Sequence, residues 1–295
     1  MKIHDYLLDR FAKRTAHGYE LMIKNYCDQV KHSQPGSGPE QAKYKDVLNY
    51  LEKERSKGRK ANTLLGYIAA IKTYYDYLKK TGVRKDHPCK HMRLKDRIDR
   101  RVDVQDLFSS TELSLLLDQP SRGRDKLPSI TLRDKVILSL LIYQGLTTKN
   151  IVSLEVNDLD LAQAVINVKK ETTLNGRILE LHPKQIMLIS KYLTEERSVL
   201  NRSNSDKLIL TRRYQDERGC GVHDVVKAYK HLFPDRTLTP LAIRQSVIAN
   251  LLKAGKDVRV VQVFAGHNSP MTTERYQQTG IEELTAAVMK FHPLK

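Results

Sequence analysis

From Asp86 to Leu107 the chain reads DHPCKHMRLKDRIDRRVDVQDL, a run dense in charge with no sustained apolar period. Such a stretch has no face to offer a hydrophobic core. It therefore reads as a linker, and it divides the chain into two segments that each bury a core of their own. A length of 295 residues accommodates two ordinary domains. The expected division is a helical domain over residues 1–85, a basic linker over 86–107, and a second domain over 108–295.

The two segments differ in pattern. In the first, Leu64, Ile68, Ile71, Tyr75 and Leu78 step by three and four, which predicts an amphipathic helix stopped at Thr81-Gly82. Further helices are expected over Tyr19–His32 and Tyr44–Lys57, with the Pro/Gly-rich stretch Ser33–Pro39 as a loop between them. The second segment is mixed. Ser109-Ser-Thr-Glu-Leu sets hydroxyls ahead of an apolar run, as a helix N-terminus requires, and Leu132–Gln144 reads as a buried helix ending at Gly145. Val165–Val168 and Arg177–Leu181 read as two strands joined through a turn containing Asn175-Gly176. Helices follow over Pro183–Leu200 and His223–Leu232. Thr239-Pro240 opens another that Gly255 ends, and Asp257 caps the next, with Val258, Val261 and Phe264 inward. Ser269-Pro270 then begins a short helix that carries Tyr276. The expected fold class is mainly α with a small antiparallel β-sheet.

Charge narrows the partners. Lys and Arg exceed Asp and Glu by 51 − 34 = 17, with a pI near 9.7, which points to a polyphosphate. Residues 1–100 carry 23 − 12 = +11 and the remainder 28 − 22 = +6, so the first domain is the more basic. Lys60 and Lys72, among neighbours Lys53, Arg55, Lys57 and Arg59, are candidate DNA-backbone contacts, as are Arg100 and Arg101 in the linker. Cys27, Cys89 and Cys220 are odd in number and form no C-x-x-C pair, which argues against a disulfide framework or zinc site and for a reducing compartment. The start MKIHDYLLDRFAKR has no apolar signal core, and the longest apolar stretch, Val136–Tyr143, is too short to span a bilayer. A cytoplasmic, nucleoid-associated protein with no membrane segment, metal or cofactor is expected.

The last third carries the chemistry. Leu238-Thr-Pro-Leu-Ala-Ile-Arg-Gln-Ser, then Val-Ile-Ala-Asn-Leu-Leu-Lys-Ala-Gly, Val-Val-Gln-Val-Phe-Ala-Gly-His and Thr-Thr-Glu-Arg-Tyr follow one another in an ordered block of about forty residues. This block resembles the C-terminal signature of the tyrosine recombinase (phage integrase) family. The resemblance implies an N-terminal helical core-binding (SAM-like) domain and a mixed α+β catalytic domain closing around duplex DNA as a clamp. It also implies the reaction: a tyrosine oxygen attacks a DNA phosphodiester, giving a 3′-phosphotyrosyl link and a free 5′-hydroxyl without metal. By motif position Tyr276 is then the nucleophile, Arg244 the phosphate clamp, and His267 a donor to a non-bridging oxygen. Lys170 is the hairpin lysine that protonates the leaving 5′-oxygen, with Lys169 as competitor. Arginine suits metal-free phosphoryl transfer because its planar fork holds two phosphate oxygens.

The family pattern departs in two boxes. In Gly145-Leu-Thr-Thr-Lys-Asn, Thr147 stands where the family has its first catalytic arginine, and Asn150 where it has an acidic residue. In the later box Leu241 replaces the histidine of His-x-x-Arg, and Gln245 follows the arginine in place of histidine. Lys149 is a candidate to supply the missing cation. The leading expectation is a site-specific recombinase or integrase serving a mobile element or chromosome. It would act on double-stranded DNA with inverted-repeat sites, as a homotetramer or with a related recombinase, and Ile281–Phe291 could be exchanged between neighbours or pack on its own chain. The alternative is a catalytically weakened DNA-binding accessory member of the same family. A type IB topoisomerase would share the chemistry, but the integrase-like ending disfavours it.

Overall fold

The computed structural model describes residues 2–33, 38–96, 107–119, 130–211 and 220–276. Arg100, Arg101 and the segment Ile281–Phe291 lie outside the described residues. Two compact units separate at Asp99/Arg100.

The first unit is helical: α1 (Ile3–Arg10), α2 (Lys13–Ser33), α3 (Tyr44–Ser56) and α4 (Ala61–Lys80). The sequence pattern did not suggest α1, and α2 starts six residues before the predicted Tyr19. The apolar stripe of α4 is buried as its spacing predicts, with Leu64, Ile68, Ile71, Tyr75 and Leu78 all at most 6% exposed. Tyrosine does much of the filling, which obliges the core to satisfy phenol groups. Tyr26 and Tyr75 share a hydrogen bond at 2.6 Å, and Tyr75 also donates to the Pro39 carbonyl at 3.0 Å. Residues 86–96, linker-like in composition, pack on this unit: Cys89 and Met92 enter its core, and Arg55 pairs with Asp96.

The second unit surrounds α6 (Thr131–Tyr143), whose Val136, Ile137, Leu138, Leu140 and Leu141 are fully buried. Helix α5 (Ser110–Asp118) begins with the expected reciprocal cap: Ser109 Oγ accepts from Glu112 N, and the Glu112 carboxylate accepts from Ser109 N. After α7 (Thr148–Ser153) come β1 (Leu159–Asp160), β2 (Val165–Val168) and β3 (Arg177–Glu180), antiparallel in the order β1-β2-β3. Strand β1 was not foreseen. The β2–β3 register ends at Val168 paired with Arg177, leaving a long turn over 169–176. Neither Asn175 nor Gly176 has positive φ, so the dipeptide does not form a tight primed turn. The Asn175 N–H instead donates to a residue remote in sequence, Gly266.

Helix α8 (Pro183–Lys191) continues through a π-helical turn (Tyr192–Arg197) into α9 (Ser198–Leu200), followed by α10 (Cys220–Lys227). Then come α11 (Pro240–Lys253) and α12 (Val258–Ala265), capped by Thr239 and Asp257 as their sequences require. Residues 270–276 form a further helix, α13. Among the described residues, no helix is long and apolar enough to cross a membrane, and no group of His, Cys, Asp and Glu could hold a metal ion.

Candidate active site

Two helix ends and one strand turn converge in the second unit. The first is the end of α6, where Gly145 takes φ +56° and turns its carbonyl toward α11. The second is the end of α12. Gly266, at φ +70°, stops that helix, and the His267 N–H closes back onto the Gln262 carbonyl at 3.1 Å. The third is the long β2–β3 turn, where Asn175 N donates to the Gly266 carbonyl at 2.8 Å and Leu174 bridges to His267. The irregular hairpin thus holds the histidine in place.

Arg244 projects from α11 and is only 5% exposed. Its Nη1 donates to Gly145 O and its Nη2 to Ala265 O at 2.6 Å, tying the α6 and α12 ends together. His267 is 6% exposed, and its Nδ1 meets Thr273 Oγ1 at 2.9 Å. Burial, then the charges of Arg244 and Arg177, lower its pKa to about 4, so the imidazole is neutral at neutral pH. The Tyr276 ring stacks on it, with centroids 6.4 Å apart and planes 10° from parallel. Tyr276 also packs against the small apolar cluster of Ile248, Val261 and Ala265. Burial raises the Tyr276 pKa, while Arg244, a hydrogen bond from Gln245 and Arg275 oppose that rise. The phenol is therefore protonated at rest, beside groups that favour its anion.

The hairpin lysines divide clearly. Lys169 pairs with Glu155 at 2.5 Å and Asp158 at 3.4 Å, and with Lys207 it holds the Glu155 carboxyl down at about 2. Lys170, exposed in the turn just beyond β2, makes no hydrogen bond or ion pair among the described residues.

The departed positions have work of their own. Thr147 is the N-cap of α7, accepting from Asn150 N at 3.0 Å, while Asn150 Oδ1 accepts from Thr147 N at 3.2 Å. Leu241 faces solvent at 62% exposure rather than filling the pocket. Lys149 pairs with Glu171 at 3.1 Å. In the first unit, Lys72 donates to the Met92 carbonyl at 2.7 Å, and Arg55, Lys57 and Arg59 all pair with carboxylates. Lys60 is exposed at the start of α4.

Two residues of the pocket were missed from sequence. Glu171, in the hairpin turn, accepts from Asn150 Nδ2 at 2.5 Å. Its charge favours the cations of both Arg177 and Arg244, so a carboxylate serves the site despite the amide at position 150. Arg177 opens β3 and is 7% exposed. Strand alternation with Leu179 and Leu181 inward would have placed it on the buried face, and that was the available signal. For Glu171 no local pattern existed.

The sequence pattern of the Phage integrase family matches residues 108–282, and that of the phage integrase N-terminal SAM-like domain matches residues 4–82. Tyrosine recombinase XerD of Listeria monocytogenes serotype 4b (strain F2365) is 25% identical over 301 residues, covering 99% of this chain and 97% of that protein. Tyrosine recombinase XerC of Roseiflexus sp. (strain RS-1) is 26% identical over 270 residues, covering 90% and 83%. Among solved structures, the XerH site-specific recombinase in its pre-cleavage complex with difH substrate is similar in fold. Its TM-score is 0.67 at 17% identity, covering 90% of this chain and 77% of that one. An ordered C-terminal motif block, a helical domain ahead of a mixed one, and a family pattern spanning more than half of the residues agree: the chain belongs to the phage integrase family, the tyrosine recombinases.

Proposed function

We propose that this protein is a site-specific DNA recombinase that cuts and rejoins duplex DNA through a 3′-phosphotyrosyl intermediate on Tyr276. The observation that carries the reading is the packing of Tyr276 against His267 beside buried Arg244, residues brought together from α13, the end of α12 and α11. In the step, the Tyr276 Oη–P bond forms, the P–O5′ bond breaks, and the phenolic proton passes to solvent water. Arg244 and Gln245 ease that loss because both favour the phenolate. With Nδ1 engaged by Thr273, His267 presents Nε2 to a non-bridging phosphate oxygen. Lys170 gives its proton to the leaving 5′-oxygen, while Lys169 stays with Glu155 and Asp158. Lys60 and the linker arginines Arg100 and Arg101 grip the backbone, and Lys72 contributes packing. The DNA carries inverted-repeat sites, and the working assembly is a tetramer of this chain or of this chain with a related recombinase.

A second reading is an accessory member of the family that binds DNA but scarcely cleaves it. Leu241 favours it, because an exposed leucine supplies no hydrogen bond where the family has a histidine. One oriented donor is worth about 10²–10³ in rate. To separate the readings, duplexes bound by the protein are selected from a random-sequence pool, nicked near the cleavage point to trap the intermediate, and incubated with the unaltered chain and Tyr276→Phe. Covalent adduct from the first and none from the second supports the recombinase. Binding without adduct supports the accessory role.

A further inference from the structure

Arg177 is as well buried as Arg244, and its guanidinium is incompletely used. Nε donates to Phe264 O at 2.6 Å, and Nη1 reaches Asn175 O at 3.4 Å. Nη2 is buried and has no hydrogen-bond partner among the described residues. A buried N–H left in this state costs about 1–3 kcal/mol, more when the group is charged. Native structures rarely carry one without a use.

Charge sharpens the point. Burial and the nearby Arg244 together lower the Arg177 pKa to about 10, and Arg177 in turn helps keep His267 neutral. Glu171 is the carboxylate that offsets both arginines, and it is shared with Asn150 and Lys149. Two buried guanidinium charges thus face one shared carboxylate. Gly266 lies directly on Arg177: a Cβ at that position would sit 2.6 Å from Nη1. The turn that presents His267 and this partly satisfied arginine are therefore in direct contact.

We infer that Arg177 is the second arginine of the phosphate site, with Nη2 donating to a non-bridging oxygen of the scissile phosphate beside Arg244. It fills the role that Thr147, occupied in capping α7, leaves open. The inference rests on the Tyr276 reaction proposed above. As the Oη–P bond forms and the P–O5′ bond breaks, the non-bridging oxygens gain negative charge, and a fixed guanidinium stabilises it. Arg177, Arg244 and His267 are 7%, 5% and 6% exposed, and both arginines act electrostatically on His267, so the three charges and dipoles lie close together in the buried interior of the second unit. Lysine in place of Arg177 keeps a charge but loses the planar fork.

The test measures adduct formation on the selected, nicked duplex with either a phosphodiester or a neutral methylphosphonate at the scissile position. Arg177→Lys should slow reaction by about 10²–10³ on the phosphodiester and by less than about tenfold on the methylphosphonate, which has less charge to stabilise. Equal losses on both substrates, or no loss, would overturn the inference, because Arg177 would then serve only to hold Phe264 and the His267 turn. Thr147→Arg in an otherwise unaltered chain gives a check that does not depend on Arg177→Lys folding. A gain below about tenfold is expected where Arg177 already fills the role, and a gain of about 10²-fold or more would refute it. Absence of adduct from the unaltered chain on either substrate would overturn the Tyr276 reading and this inference with it. Adduct from the unaltered chain, with adverse results for the variants, overturns the inference alone.

Discussion

Replacing His267 with glutamine should remove a defined part of this protein's acid sensitivity. The imidazole is buried, beside Arg244 and Arg177, and its pKa falls from 6.5 to about 4 in the folded chain. Between those values the unfolded chain binds a proton that the folded chain refuses, so stability rises with pH across the window and is complete above it. A difference of about 2.5 pH units corresponds to about 3 kcal/mol in full. Relative to neutral pH, the loss is about 1 kcal/mol at pH 5.5 and about 2–3 kcal/mol at pH 4.5, from the two-state proton linkage. Urea unfolding of the full chain, followed by circular dichroism at pH 7.5, 5.5 and 4.5, measures this. Other titrating groups are common to both chains, so the wild type minus His267→Gln difference isolates the histidine. The wild-type chain should lose more stability by those increments, and a direct NMR titration of His267 should give a pKa well below 6.5. Parallel stability curves, or an ordinary histidine titration, would show that the imidazole is not held neutral against the two arginines.

Two further expectations concern the same pocket. Gly266→Ala forces a side chain into left-handed backbone at φ +70°, 2.6 Å from Arg177 Nη1 and 2.9 Å from Asn175 O. Melting should show a loss of about 1–2 kcal/mol from the backbone alone, with more from the clash, and adduct formation should fall with it. Lys170→Ala should slow cleavage of an ordinary phosphodiester by about 10²-fold or more, with rescue on a substrate whose 5′-bridging oxygen is replaced by sulfur, a leaving group needing no proton. Lys169→Ala, which breaks a surface pairing with Glu155 and Asp158, should leave the rate unchanged. The reverse ranking would assign the proton to Lys169.

Much of the fold was legible because it rests on local chemistry. The hydroxyl caps at Ser109 and Thr239, the proline opening α11 and the glycines ending α6 and α11 act within a few residues of themselves. The stripe of α4 reports its own burial. The hairpin was harder. Asn175-Gly176 suggested a tight turn, but the Asn175 backbone pairs with Gly266, a partner remote in sequence. Composition also misled over residues 86–96, where Cys89 and Met92 are buried among charged neighbours.

The order and spacing of Arg244, His267 and Tyr276 were in the sequence, since a motif block is a one-dimensional object. What the altered positions do was not. That Thr147 caps a helix, that Leu241 points to solvent, and that Lys169 is pinned while Lys170 is unpaired among the described residues depend on which atoms the fold brings within hydrogen-bond reach. The same holds for Glu171 and Arg177. An arginine on a strand becomes a buried, partly unsatisfied cation only when the ends of α11 and α12 pack beside it. Burial and electrostatic coupling are set by distance in space, and only the tertiary structure decides that distance.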